Sequence, residues 1–244
     1  MTKIVAIVQA RMGSTRLPGK ILKDMAGAPM LARVLSRLGR ARRLDAVMVA
    51  TTTQPADDQV EAFCRQQGVE VFRGSENDVL DRYRAAARLS NATAIVRVTS
   101  DCPLIDPGLV DDVIASLFTP EPADYASNTL EPRTYPRGLD VEAFTLQALE
   151  MAWRRTSSPT LREHVTPYFY LTPEQFALRR VFTEPSQAHR RWTVDTPEDY
   201  EFACKIYEHF RHNAFTWHDV LHLVEREPRL EAINSHVPQK PLIP

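Results

Sequence analysis

Through the first half of the chain, short apolar runs alternate with stretches whose apolar residues recur every three or four positions. Residues 3–8, 46–50, 69–72 and 94–99 read as strands, and 94–99 is the most apolar after the first. Residues 30–42 read as a helix, because Leu31, Val34, Leu35 and Leu38 fall on one face. A second helix starts at Pro55 and Asp57, turns Val60, Phe63 and Cys64 inward, and stops at Gly68. Further helices are expected over 79–89, behind an Asp78 cap, and over 107–118. Strands and helices in this alternation predict an α/β fold with a mostly parallel sheet flanked by helices.

Near Asp124 the rhythm changes, after Pro120 and Pro122. Residues 125–128 and 178–182 read as short strands, and 129–136 as a loop. The alternation over 139–144 predicts a strand with Asp140 and Glu142 on one polar face. Helices are expected over 146–155, over 161–171 with an interruption near Pro167, and over 217–227. Residues 192–196 read as a short strand running into a helix that reaches Phe210, with Pro197 in its first turn and Asp195 or Thr196 as its cap. The expectation is one domain over 1–244, with about 125–190 as a lid or acceptor-binding portion and 238–244 as a proline-rich tail.

Composition narrows the class. With 43% hydrophobic and 25% charged residues, the chain is an ordinary globular sequence, and its net charge of −1 argues against broad nucleic-acid binding. Cys64, Cys102 and Cys204 are scattered without metal-ligand spacing, which fits a reducing cytoplasm. No signal peptide or membrane span is read, so neither a membrane nor a nucleic acid is an expected partner.

The candidate chemistry begins where the first strand ends. Gln9-Ala10-Arg11-Met12-Gly13-Ser14-Thr15-Arg16-Leu17-Pro18-Gly19-Lys20 carries three cations, two glycines and two hydroxyls. Glycines let backbone N–H groups approach a ligand, while Arg forks and a Lys point charge suit phosphate oxygens. The loop is not a Walker loop, since five residues separate Gly13 from Gly19 and Ile21 follows Lys20. It reads as a phosphate cradle or, at its plainest, a solvated basic loop. Asp101 stands just past another strand end, where it either holds Mg²⁺ beside a polyphosphate or caps the turn at Pro103. Asp195 is either a second metal ligand or a helix cap. His218 and His222 have i,i+4 spacing but lack a third ligand.

Several segments together resemble a family. The 10–20 loop is similar to the signature of the CMP-sugar-acid synthetases, the cytidylyltransferases for 3-deoxy-manno-octulosonate and acylneuraminate. The whole chain more closely resembles cytidylyltransferases of the spore-coat polysaccharide type. The matching segments include Arg73-Gly74-Ser75-Glu76-Asn77-Asp78, Arg97-Val98-Thr99-Ser100-Asp101-Cys102-Pro103, Gly138-Leu139-Asp140-Val141-Glu142, Arg162-Glu163-His164 and Trp192-Thr193-Val194-Asp195-Thr196-Pro197. The resemblance implies a nucleotide-diphospho-sugar transferase-like, Rossmann-like fold with a small lid or dimerisation element, and a homodimer using CTP, Mg²⁺ and a small anionic acceptor. In it, Arg11 and Lys20 contact the CTP phosphates with Arg16 in a lesser part, Ala10 and Gly13 belong to the same nucleotide loop, and Thr51 and Arg73 lie near the nucleotide. Lys20, Arg11 and Asp101 carry catalysis, and Asp101 and Asp195 ligate Mg²⁺. Sialic-acid enzymes show Gly-Gly-Ser-Lys where this chain has Met12-Gly13-Ser14-Thr15-Arg16, so the resemblance does not extend to that substrate.

For the acceptor, Asp140 and Glu142 can meet hydroxyls, and Arg133 and Arg137 can hold an anion. Glu163 and His164 join the substrate-binding candidates through their segment, with His164 as a possible general base. A nucleotide-sugar-dependent glycosyltransferase is the alternative enzyme, although Asp101-Cys102-Pro103 is not the Asp-x-Asp such enzymes often carry. A non-catalytic nucleotide-binding subunit is the other alternative.

Overall fold

The computed structural model describes residues 2–239, so the part of the expected tail at 240–244 lies outside the described residues. Seven strands form one sheet in the order β3-β2-β1-β4-β6-β5-β7. They are β1 (Ile4–Gln9), β2 (Ala46–Thr52), β3 (Glu70–Gly74), β4 (Ala94–Thr99), β5 (Tyr125–Ser127), β6 (Glu142–Thr145) and β7 (Leu178–Arg180). β6 alone runs against the rest, pairing antiparallel with β4 and β5, so the mostly parallel expectation stands. β1 and β4 lie side by side at the centre, and their interior residues are almost all fully buried. This is why both read as continuous apolar runs rather than alternating ones.

Helices cover both faces. On one side, α1 (Met30–Leu38), α2 (Asp58–Gln66), α4 (Pro107–Phe118), α8 (Pro197–Phe210) and α9 (Trp217–Arg226) close a core containing Val8, Val49, Val96 and Val98. On the other, α3 (Val79–Leu89), α5 (Leu146–Arg155) and α7 (Pro167–Leu171) close a core containing Ile7, Met48, Ile95 and Phe144. Local sequence fixes several of the starts. Asp78 accepts the Asp81 N–H at 2.9 Å, Asp106 accepts that of Leu109 at 3.0 Å, and Thr196 with Asp199 forms a capping box.

The structure departs from the sequence reading in three places. The 139–144 strand pairs only from Glu142, because the Asn128 carboxamide takes the Leu139 carbonyl at 2.7 Å and the Val141 N–H at 2.9 Å in place of a neighbouring strand. The 161–171 helix is two helices, α6 (Pro159–His164) and α7, parted at Val165 (φ 71°), so Pro167 opens the second. Residues 192–196 form no ladder. They make an extended strap whose donors go to loops, Trp192 to the Arg137 carbonyl at 2.7 Å and Val194 to that of Asp101 at 2.9 Å.

The topology positions the site. From β1 the chain winds outward through β2 to β3, then returns to β4 on the other side of β1. That reversal opens a crevice outside the carboxyl ends of β1 and β4, the usual ligand position in open α/β sheets. The 10–20 loop leaves one end, and Asp101 follows the other.

Candidate active site

The loop is anchored at both edges. Leu17 and Ile21 are buried in the core. Met12 donates its N–H to Asp57 Oδ1 at 2.7 Å, and Thr52 donates its hydroxyl to the other Asp57 oxygen. Met12 O in turn accepts the N–H groups of Ser14 and Gly19, at 2.9 and 3.2 Å. Among the described residues, the N–H groups of Arg11, Gly13, Thr15 and Arg16 have no protein acceptor, so the loop presents free donors as well as cations. Asp57 is 3% exposed, and nothing in its local sequence sets it apart from a helix-start acid. Asp57→Ala is therefore expected to cost about 2–3 kcal/mol in a urea melt, the scale of buried charge-assisted hydrogen bonds, and to loosen the loop that Asp57 anchors.

Gly19 (φ 67°) turns the chain into a short 3₁₀ segment, Lys20–Leu22, that aims Lys20 across the crevice. Lys20 as a whole is 8% exposed. It reaches the Val194 carbonyl at 2.6 Å, Asp195 Oδ1 at 2.9 Å and Asp101 Oδ2 at 3.7 Å. Arg16 and Arg191 hold the other Asp195 oxygen, at 3.1 and 3.3 Å. Burial alone would lower the Lys20 pKa, but Asp101 and Asp195 outweigh it and push it up. Burial alone would raise that of Asp195, yet Lys20, Arg16 and Arg191 hold it below the usual carboxylate range. Neither acid acts as a cap. Thr196 caps α8, and Asp101 directs its second oxygen to the Thr99 hydroxyl rather than to the Pro103 turn.

The other expected residues are placed as follows. Arg11 stands exposed at the loop rim, 3.6 Å from Glu76. Ala10 is buried at the loop's start, and Gly13 sits at the loop turn. Thr51 does not face the crevice: it is wholly enclosed, with its hydroxyl unpartnered. The Arg73 guanidinium is used up on Glu61, Asp58 and the carbonyls of Thr52 and Gln54, tying β3 to the start of α2.

Beside Lys20 lies a cavity of about 790 Å³ whose lining includes Asp101, Asp195, Arg137, Asp140 and Glu142. Glu142 is not free, since it accepts from Arg97 and, at 2.6 Å, from Tyr125. Asp140 pairs with Arg133. Arg137 has no side-chain partner among the described residues, and both burial and neighbouring Arg133 disfavour its charge. Glu163 is exposed on α6, and neither it nor half-buried His164 lines the cavity; Thr166 and Tyr170 do. Burial lowers the His164 pKa. Arg97, Arg180 and Tyr170 were missed by the sequence reading. For Arg97 the signal was present, because a lone Arg inside an apolar strand demands a buried acid. Cys102 also lines the cavity, but burial and Asp101 push its thiol well up, away from a thiolate nucleophile.

Free backbone donors and cations on one side, a cavity lined mainly by polar residues on the other, and an acid pair between them suit a polyphosphate beside a second reactant. The class is that of the nucleotidyltransferases. The family model described as cytidylyltransferase matches residues 5–219, and the chain belongs to that family. It is 36% identical over 222 residues to the spore coat polysaccharide biosynthesis protein SpsF of Bacillus subtilis, covering 85% of this chain and 88% of that one. The solved structure of a cytidylyltransferase from Leptospira borgpetersenii superposes with a TM-score of 0.91 at 35% identity, covering 99% of this chain and 100% of the other. The CMP:2-keto-3-deoxy-manno-octonic acid synthetase complexed with CTP shares the fold, with a TM-score of 0.66 at 21% identity over 85% of this chain and 99% of that one. The chain is thus a CTP-dependent nucleotidyltransferase of the cytidylyltransferase family, with SpsF among its relatives. Among the described residues, no helix is long and apolar enough to cross a membrane.

Proposed function

We propose that the enzyme transfers CMP from CTP to a small anionic acceptor, an acidic sugar or a phosphorylated or phosphonate alcohol, for surface polysaccharide or glycoconjugate synthesis in the cytoplasm. The observation that carries this is the meeting of Lys20, Asp101 and Asp195 between the cation loop and the cavity. The loop donors, with Arg11 and Arg16, hold the triphosphate. The cavity, built largely from residues 129–195, holds the acceptor. An acceptor oxygen attacks the α-phosphorus, and the bond to the leaving pyrophosphate breaks in line. Such a transfer needs positioning and charge neutralisation more than covalent help. Lys20 supplies a compact positive charge at the transferring phosphate. The acid pair suits Mg²⁺: two hard carboxylates converge on one cation position, beside a phosphate that would complete the coordination. Asp101 and Asp195 would hold the ion, which would neutralise charge on the transferring phosphate. A homodimer would use the 125–190 portion, which carries the exposed Leu171 and Phe182.

Arg137, a half-buried guanidinium with no side-chain hydrogen bond or ion pair among the described residues, is the anion receptor in this reading. Pyrophosphate release from CTP and Mg²⁺, assayed against sugar acids, sugar phosphates and phosphonates, identifies the acceptor. Arg137→Met should then raise the acceptor KM about tenfold or more, the scale of a lost charge-assisted contact, and leave the CTP KM unchanged. Robust turnover of neutral sugars, or a change confined to the CTP KM, would sink the anionic reading.

A further inference from the structure

We propose that Lys20 is the resident cation of the Asp101–Asp195 pair in the free enzyme and yields that pair only when a triphosphate arrives, so that metal and nucleotide bind cooperatively. The inference rests on the assignment of those acids to the metal. An ammonium is a compact charge with three donors, and Lys20 directs its charge at the Val194 carbonyl and both carboxylates. Asp195 Oδ1 and Asp101 Oδ2 both face its Nζ, so the two carboxylates that would hold the metal already converge on one cation position. A Mg²⁺ ion sits about 2.0–2.1 Å from its oxygen ligands. It cannot share the gap between these carboxylates with an ammonium already 2.9 Å from one of them. The two cations are alternative occupants of one position.

Displacing Lys20 has a cost, because the residue is nearly buried and its ammonium holds the Val194 carbonyl and Asp195. A metal arriving alone must turn that charge out with no anion to receive it. A triphosphate seated on the free loop donors supplies the anion, for Lys20 and for Arg16, which also leaves Asp195. The acid stays in place during the exchange, since Arg191 grips it from the other side and is itself fixed on Asp199 at 2.8 Å. Each ligand then raises the affinity for the other by the same factor.

The test uses the full chain and Mn²⁺, with free Mn²⁺ followed by its electron paramagnetic resonance signal. Without nucleotide, Lys20→Met is expected to bind Mn²⁺ about tenfold or more tighter than wild type, within the usual range of coupling between sites. Lys23→Met, altered on the outer surface over Tyr200, should match wild type. Adding Asp195→Asn to Lys20→Met should remove the gain. Lys20→Gln repeats the comparison should the Met variant not fold. Equal or weaker Mn²⁺ binding by the Lys20 variants overturns the exchange, provided Asp101→Asn and Asp195→Asn still abolish binding to the CTP-loaded enzyme. If those two substitutions leave binding to the CTP-loaded enzyme unchanged, the metal assignment itself fails, and the exchange with it.

Discussion

Lys20→Met should lower turnover by about two to three orders of magnitude at saturating CTP, the scale seen when one preorganised donor to transition-state charge is removed. Methionine keeps most of the stem that fills the site behind Val194, so the loss is one of charge rather than of packing. The fold should survive, because Asp195 keeps Arg16 and Arg191 when the ammonium goes. Lys20→Arg is not expected to rescue. Its planar fork fits poorly in the nearly closed space around Lys20 and cannot present the same compact point charge to the transferring phosphate. Initial rates of pyrophosphate release, with whichever acceptor supports the wild type, decide the matter. Turnover within about threefold of wild type would remove Lys20 from the chemistry, since a group that neutralises charge on the transferring phosphate cannot be dispensable.

The legible parts of this molecule are those whose backbone partners are regular. β1 and β4 could be read because burial on both faces writes a continuous apolar run, and α3 and α8 because their caps are local. The 139–141 segment and the 192–196 strap were misread for one reason. Their hydrogen bonds go to the Asn128 side chain and to the loop carbonyls of Arg137 and Asp101, partners with no periodic trace in the sequence. At the site, the loop and both acids were legible because each follows or closes an apolar run. The resemblance gives Arg16 a lesser part than Arg11, yet Arg16 reaches Asp195 while Arg11 meets Glu76 at the rim. Only the resemblance puts Arg73 near the nucleotide. The acids at the start of α2, Asp58 and Glu61, were a local reason to expect the ion pairs it makes. Asp57 was seen only as a helix start, since its hold on Met12 spans 45 positions of sequence.

Gly138→Ala should break both the fold's local fit and the reaction, although Gly138 offers no side chain to either. Its φ is 100°, a region L-residues rarely adopt, and a Cβ there would lie 2.3 Å from the Thr193 nitrogen and 2.4 Å from the Trp192 carbonyl carbon. Those are backbone atoms, so no rotamer change relieves the clash. The expected loss is about 3 kcal/mol or more, combining backbone strain with overpacking. The strap that must shift carries Asp195 and the Val194 carbonyl, and it is held to Asp101 through Val194 N–H and the Thr193 hydroxyl. Displacing it moves the acids relative to each other and to Lys20. A misplacement of about 1 Å can cost about a hundredfold in rate, so turnover should fall by that much even in the fraction that stays folded. Gly13→Ala is the contrast, because its Cβ would meet nothing within 4 Å and its φ is ordinary. A urea melt should place it within about 0.5 kcal/mol of wild type. Should Gly138→Ala melt and turn over like wild type, the strap is not what fixes Asp195, and the close approach at Gly138 has no bearing on the acid pair.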